Sequence, residues 1–252
     1  MAHCLVSNGR GRIMTQKESK GLLAIWTDIE KDYRPTLEEW HNCEHMADRV
    51  TLPGFHVGRR YNGIGQAPNY LMFYELSSSK TSLSKPYLYS LNHPTPRTKE
   101  ALTYFRNTVR TIYRLLAGSG RKSPLEAPYL LVVRFNIEAE FEREVLRWYR
   151  KEYLPKVVKI RGVYRGRLYE ADSGISNIST KERKIHGASA GQKRFLSLFE
   201  VESLDLFSSK AWRKAHSGAV RDKSVHQKIL NPQEERYWIG FTLCAPRRTR
   251  GG

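Results

Sequence analysis

Residues 37–61 read LEEWHNCEHMADRVTLPGFHVGRRY, and this stretch decides the fold. Leu37, Trp40, Glu44 and Ala47 recur at helical spacing, so the first half is a helix with one face turned inward. Thr36 followed by Glu39 has the form of a capping box at its start. Leu52-Pro53-Gly54 ends it. From Phe55 to Tyr61 the pattern alternates as a strand, with Phe55, Val57, Arg59 and Tyr61 on one side and His56, Gly58 and Arg60 on the other.

The same pattern returns at residues 143–169 as REVLRWYRKEYLPKVVKIRGVYRGRLY. Trp40 matches Trp148, Glu44 matches Glu152, Gly54 matches Gly162, Arg59 matches Arg167 and Tyr61 matches Tyr169, each at an offset of 108 residues. Beyond an insertion the offset becomes 125, and Tyr70–Leu76 then matches Phe195–Val201, Tyr87 matches Trp212, and Tyr113 pairs with Trp238. Matches ordered in both spacing and type establish an internal duplication.

Around the quoted stretch, strands read at 21–28 and 70–76, a second helical region at 94–105 and a fourth strand at 109–115. The order is βαββαβ, the ferredoxin-like unit. Such a unit carries helices on one sheet face and must cover the other. Two copies in one chain predict an α+β fold: two tandem ferredoxin-like units closing face to face into one intrachain, pseudo-dimeric α/β barrel around a cavity. The expected organisation is a disordered leader over 1–20, a first half over 21–117, a linker over 118–128 and a second, diverged half over 129–245. A long loop is expected over 170–193, and a basic tail over 246–252.

Composition narrows the function. The 252 residues carry a net charge of +18, but the basic residues are scattered and no zinc-finger, RNP-like or basic-heptad pattern accompanies them, so dedicated nucleic-acid recognition is not expected. No run approaches the roughly 18 apolar residues that span a bilayer. Three widely spaced cysteines without a C-x-x-C pair argue against a disulfide framework and for a reducing, cytoplasmic setting. Gly63-Ile64-Gly65 joins two strands and is no dinucleotide fingerprint. His41-Asn42-Cys43-Glu44-His45 matches H-x-x-E-H, but the second copy has Tyr149 and Tyr153 instead and no third ligand is evident, so no metal site is expected.

The run formed by Trp40, Glu44, His45, Arg49, Leu52, Pro53, Gly54, Phe55, Arg59, Arg60 and Tyr61, continued by Pro68, Tyr70, Leu71, Tyr74, Glu75 and Leu76, resembles EthD-like proteins of the dimeric α/β-barrel superfamily. The match spans about residues 22–115, and the second half looks like a diverged copy. The resemblance implies the barrel fold and a small-molecule partner. The superfamily ranges from isomerases, cyclases and cofactor-independent monooxygenases to haem enzymes, so function transfers poorly.

His45 is the candidate proton-transfer residue: it stands near the helix C-terminus, where free carbonyls favour an imidazolium. Glu44 and Trp40 recur in both copies and read as structural. Arg60, replaced by Leu168 in the second copy, is the candidate anion anchor. Phe55, Tyr74 and Tyr87 are the expected cavity wall. The expected activity is cofactor-independent isomerisation, cyclisation or dehydration of a small, aromatic or polyketide-like, anionic substrate, with no metal or cofactor. The alternative is a non-catalytic ligand-binding or stress-related barrel. The fused barrel leaves room for further homo-oligomerisation.

Overall fold

The computed structural model describes residues 19–123, 125–217 and 224–246. Eight strands form one closed antiparallel barrel: β1 (Gly21–Ile29), β2 (Phe55–Ile64), β3 (Tyr70–Leu76), β4 (Phe105–Gly120), β5 (Tyr129–Ile137), β6 (Val163–Ala171), β7 (Phe195–Val201) and β8 (Ile229–Cys244). Around the barrel they run β1-β3-β2-β8-β5-β7-β6-β4. The two seams between the halves are β2 against β8 and β4 against β6. Closure leaves no open sheet edge. The chain is thus a fused pseudo-dimer of ferredoxin-like units. No helix among the described residues is long and apolar enough to cross a membrane.

The quoted stretch forms α1 (Arg34–Trp40), a π-helical turn (His41–His45) and α2 (Met46–Val50), one continuous helix laid across the outer face of the first-half sheet. The capping box expected at Thr36 does not form. A 3₁₀ turn (Lys31–Tyr33) leads straight into Arg34, and Pro35 sits in the first turn, where its missing N–H costs nothing. The second copy repeats the design with α5 (Glu142–Trp148), a π turn (Tyr149–Tyr153) and α6 (Leu154–Val157). In both halves the following turn needs a left-handed residue. Gly54 (φ 87°) and Gly162 (φ 91°) supply it, and a Cβ at Gly54 would also lie 2.8 Å from Thr81. The second helical region of the first half is two helices, α3 (Lys85–Asn92) and α4 (Pro96–Thr103), parted by the His93–Thr95 break.

Strand β2 departs from strict alternation. Its register on β3 slips between Phe55 and Val57, a bulge that β6 repeats between Val163 and Arg165. One extra residue moves Phe55 to the helix-facing side, where it packs against Tyr74 and Tyr87, while Arg59 and Tyr61 point into the barrel. The closing strand also differs from the sequence alignment by one place. Leu22 faces Tyr113 and Leu130 faces Tyr237, so Tyr237, not Trp238, is the counterpart of Tyr113. Tyr237 is buried, whereas Trp238 is 48% exposed.

The cavity expected inside the barrel is filled, among the described residues, by side chains. Trp26, Tyr61, Phe73, Tyr113, Tyr169 and Tyr237 pack there with Leu71, Leu130, Val132, Leu196 and Leu198. At one end an ion-pair network joins the halves. Arg59 donates to Glu75 at 3.0 Å, Arg167 donates to Glu200 at 2.8 Å, and Arg167 crosses to Glu75 at 2.9 Å. Arg165 reaches Glu200 at 2.6 Å, and Glu126 from the inter-half linker caps Arg59 through Nε at 2.5 Å. Burial alone would raise the pKa of Glu75, but Arg167, Arg59 and Arg165 outweigh it and hold the carboxyl well below its usual range.

The 170–193 stretch is not a plain loop. It contains α7 (Ser173–Ser176) and α8 (Lys181–His186), and α8 crosses over to pack on α3 and α4 of the first half. Asp172 and Thr180 cap the two short helices, which is why a Gly/Ser/Lys-rich segment orders here. The linker is shorter than expected, because Gly118, Ser119 and Gly120 still pair with β6. The leader to residue 18 and the tail from residue 247 lie outside the described residues. Cys244 is disulfide-bonded, which departs from the reducing setting that the cysteine count and spacing suggested; Cys43 is free and exposed.

The buried network sets a stability test. Glu75→Gln removes the negative charge shared by three guanidiniums and should cost about 3–5 kcal/mol, as expected when one partner of a buried pair is lost. Arg97→Ala, which breaks the exposed Arg97–Glu39 pair, should leave the denaturation midpoint nearly unchanged. Urea denaturation of the two variants checks the contrast.

Candidate functional site

The gap between the α1–α2 helix and the outer face of β1, β3 and β4 forms a cavity of about 30 Å³, enough for about one or two waters. The π turn shapes it. Met46 N–H donates to the His41 carbonyl, five residues back, and the wider turn sets His41 and His45 both against the sheet with ring centres 5.8 Å apart. His45 lies against the Trp40 ring at 4.5 Å. Trp40 is held in turn by its Nε1–H to Thr98 at 3.3 Å, and Glu44 points outward to accept from Thr95 at 2.6 Å. The structural reading of Trp40 and Glu44 matches these placements.

Around His45 stand Arg49, Tyr74, Tyr87 and Arg110 from the first half, and Glu182 and His186 from α8. Arg49 donates to Glu182 at 2.6 Å and to Ser90 at 3.0 Å, with both members of the ion pair buried. Arg110 donates to the Tyr87 hydroxyl at 3.2 Å. Tyr74 OH and His41 Nε2 are 3.3 Å apart. On the outer side, Arg49 and Glu182 also line an open cleft of about 230 Å³ with Asp48, Ser90, His93 and Thr95. That one ion pair therefore stands between cavity and solvent.

The electrostatics reverse one expectation. The helix continues to Val50, so His45 faces no free carbonyls. Burial, then Arg49, His41 and His186, push its pKa well below the usual imidazole range, so His45 is neutral rather than an imidazolium. Its Nδ1 is buried with no hydrogen-bond partner among the described residues. Burial together with Arg60 and Arg49 lowers His41 to about 3, and burial together with Arg110 and Arg183 lowers His186 to about 4. His186 Nδ1 accepts from the Ala188 N–H at 3.1 Å, which leaves the proton on Nε2. Burial pushes the Glu182 carboxyl up against the pull of Arg49.

Three of the sequence candidates come together and two stand apart. His45, Tyr74 and Tyr87 line the cavity. Phe55 packs behind Tyr74 and Tyr87 rather than on the wall. Arg60 lies under α1, tied to the Asn42 side chain at 2.7 Å and the Glu38 carbonyl at 3.4 Å, and acts as a strut between helix and sheet. The residues missed were Arg49, Arg110, Glu182 and His186. One signal was present: at the 108-residue offset Arg49 meets Val157, a polar-for-apolar exchange at a buried site. Glu182 and His186 fall in the insertion, where the duplication offers no counterpart to compare.

The second half shows what the gap becomes without these groups. Tyr149, Tyr153, Val157, Phe199 and Trp212, the counterparts of His41, His45, Arg49, Tyr74 and Tyr87, belong to one apolar cluster. Trp148 stacks on Tyr153 at 4.7 Å, where Trp40 lies tilted against His45 at 4.5 Å. Neither gap as arranged receives a porphyrin: one is packed and the other has room for about a water or two. Glu44 turns away from the two imidazoles, and among the described residues no group of three His, Cys, Asp or Glu side chains is placed to hold a metal.

No family model matches the chain, and no curated protein is similar to it in sequence. Solved structures are similar in fold. A protein described as anthrone oxidase-like is 11% identical, with a TM-score of 0.61 over 94% of this chain and 98% of its own. A candidate monooxygenase from Fusobacterium nucleatum subsp. nucleatum is 8% identical, with a TM-score of 0.58 over 90% and 95%. A mutant chlorite dismutase from Candidatus Nitrospira defluvii is 9% identical, with a TM-score of 0.53 over 89% and 92%. At these identities the likeness is one of fold, the ferredoxin-like dimeric α/β barrel.

The three depressed imidazoles set the pH dependence of stability. Each has a folded pKa below its unfolded value near 6.5, so the unfolded chain binds the extra protons. Stability should be full above about pH 6.5 and fall as the pH drops toward 4.5, by up to about 1.4 kcal/mol per pH unit for each group. His41→Phe should flatten that slope, read as denaturation midpoints between pH 7 and 4.5.

Proposed function

We propose that this chain is an EthD-like, cofactor-independent enzyme that moves a proton on a small aromatic or polyketide-like substrate bearing an acidic group. The observation that carries the reading is His45: a neutral, buried imidazole, unpartnered at Nδ1, facing a cavity edged by two guanidiniums. A neutral imidazole accepts a proton at pH 7, whereas an imidazolium does not. In this reading His45 takes the proton from a C–H or O–H made acidic by an adjacent carbonyl. The negative charge left on oxygen is held by Arg110 and the Tyr87 hydroxyl, fixed donors in a site from which water is largely excluded. Reprotonation at another carbon, ring closure or loss of hydroxide then gives isomerisation, cyclisation or dehydration. The likeness in fold to an anthrone oxidase-like protein supports an anthrone as first probe.

The depressed basicity of His45 favours a second reading, a barrel that binds such a ligand without turning it over. The two readings separate by deuterium exchange at the activated methylene of 1,8-dihydroxyanthrone, followed by NMR. Enzyme-accelerated exchange that drops about 10²- to 10⁴-fold in His45→Ala, with ligand binding kept, is the result expected. The rate should stay flat from about pH 8 down to about pH 6, because His45 remains the base below the ordinary imidazole range. Binding with no accelerated exchange would leave the non-catalytic reading.

A further inference from the structure

The charges around the cavity do not balance. Arg49 and Arg110 are both nearly fully buried, at 4% and 8% exposure, and one buried carboxylate, Glu182, faces them. Arg49 takes that carboxylate. Arg110 makes no contact ion pair among the described residues: it acts on Glu182 only at longer range, and its side chain donates to a neutral phenol. A guanidinium carries five donors and full charge, and leaving it buried without an anion is costly. The other cation near α8 is no substitute, since Arg183 is spent on the Ala188, Ser176 and Ile178 carbonyls. Neither imidazole adds a negative charge.

Glu182 also comes from a part of the chain that the first half lacks. It rides on α8, in the insertion that separates the two offsets of the duplication, and meets Arg49 across 133 residues. Tight as it is, the cavity has no room for an aromatic ring while α8 is seated. Glu182 and His186 close the cavity from the α8 side, so a ligand that enters there lifts α8 and strips Arg49 of its carboxylate.

We propose that the cavity is a carboxylate-binding site built on Arg49 and Arg110, in which Glu182 is an internal carboxylate that the ligand displaces together with α8. The exchange is balanced in charge: one carboxylate leaves Arg49, and one arrives. It makes the site selective, because a neutral ligand of the same shape would open α8 and leave two guanidiniums unpaired. The proposal deepens the reading above by naming the ligand's anionic group and its anchors, and it rests on that reading only for the location of the site.

The test is calorimetric titration of the full chain with benzoate and with benzamide, its neutral isostere. Benzoate should bind at least about tenfold tighter, the margin of a charge-assisted hydrogen bond. Glu182→Gln should tighten benzoate further by removing the competitor, and Arg110→Gln should erase the preference for benzoate. The comparison of ligands on the native chain and the Glu182→Gln arm do not depend on whether Arg110→Gln folds. Equal binding of the two ligands, no binding of either, or benzoate affinity unchanged or weakened in Glu182→Gln would overturn the proposal. A native chain that selects benzoate yet exchanges no proton would fail the catalytic reading alone.

Discussion

The barrel depends on charge held in its interior. Arg59, Glu75, Arg167 and Glu200 occupy equivalent places in the two halves, and the Arg167–Glu75 bond runs across from one half to the other. A buried ion pair is weak evidence for net stability, since desolvation offsets much of the attraction. Its value here lies in register. Sliding one half by a residue would reverse every side chain on a strand and leave guanidiniums without carboxylates inside an aromatic core. The aromatic residues that fill the rest of the interior tolerate small shifts; the network does not.

A filled barrel forces any ligand elsewhere. Both halves keep the same helix, the same π turn and the same Trp packing, so both have a gap between helix and sheet. In the second half Tyr153, Val157, Phe199 and Trp212 close it with apolar volume. In the first half His45, Arg49, Tyr74 and Tyr87 line it with groups that donate, accept and carry charge. The chain is therefore symmetric in architecture and asymmetric in chemistry. The insertion adds to the asymmetry: it belongs to the second half but lays Glu182 and His186 over the first.

The fold was legible because the duplication is written at constant offset in residues that bear on geometry: Trp40 and Trp148 under the helix, Gly54 and Gly162 at a left-handed turn, Arg59 and Arg167 in the interior. The site was legible in part. His45, Tyr74 and Tyr87 follow from the first copy alone, but the sense of the His45 charge did not. That depends on how deeply the ring is buried and on Arg49 one turn on, neither of which a helix position reveals. Arg60 and Phe55 do not line the cavity beside His45, and strand geometry is the reason. The bulge after Phe55 and the filled barrel decide which face matters, and a strict period of two assumes neither. The α8 contacts were beyond reach, since a 17-residue excess in a polar stretch says nothing of where it folds back.

What distinguishes the first half is an imidazole, His45, kept neutral by burial and by neighbouring positive charge. Nitrogen-15 NMR of the imidazoles tests this claim most directly. The account predicts that the His45 resonances, assigned with His45→Gln, keep neutral-imidazole shifts from pH 7.5 down to about pH 5.5, with no titration near the ordinary value of about 6.5. An imidazole that titrates at or above 6.5 would place His45 in solvent or beside a carboxylate, and would contradict the account.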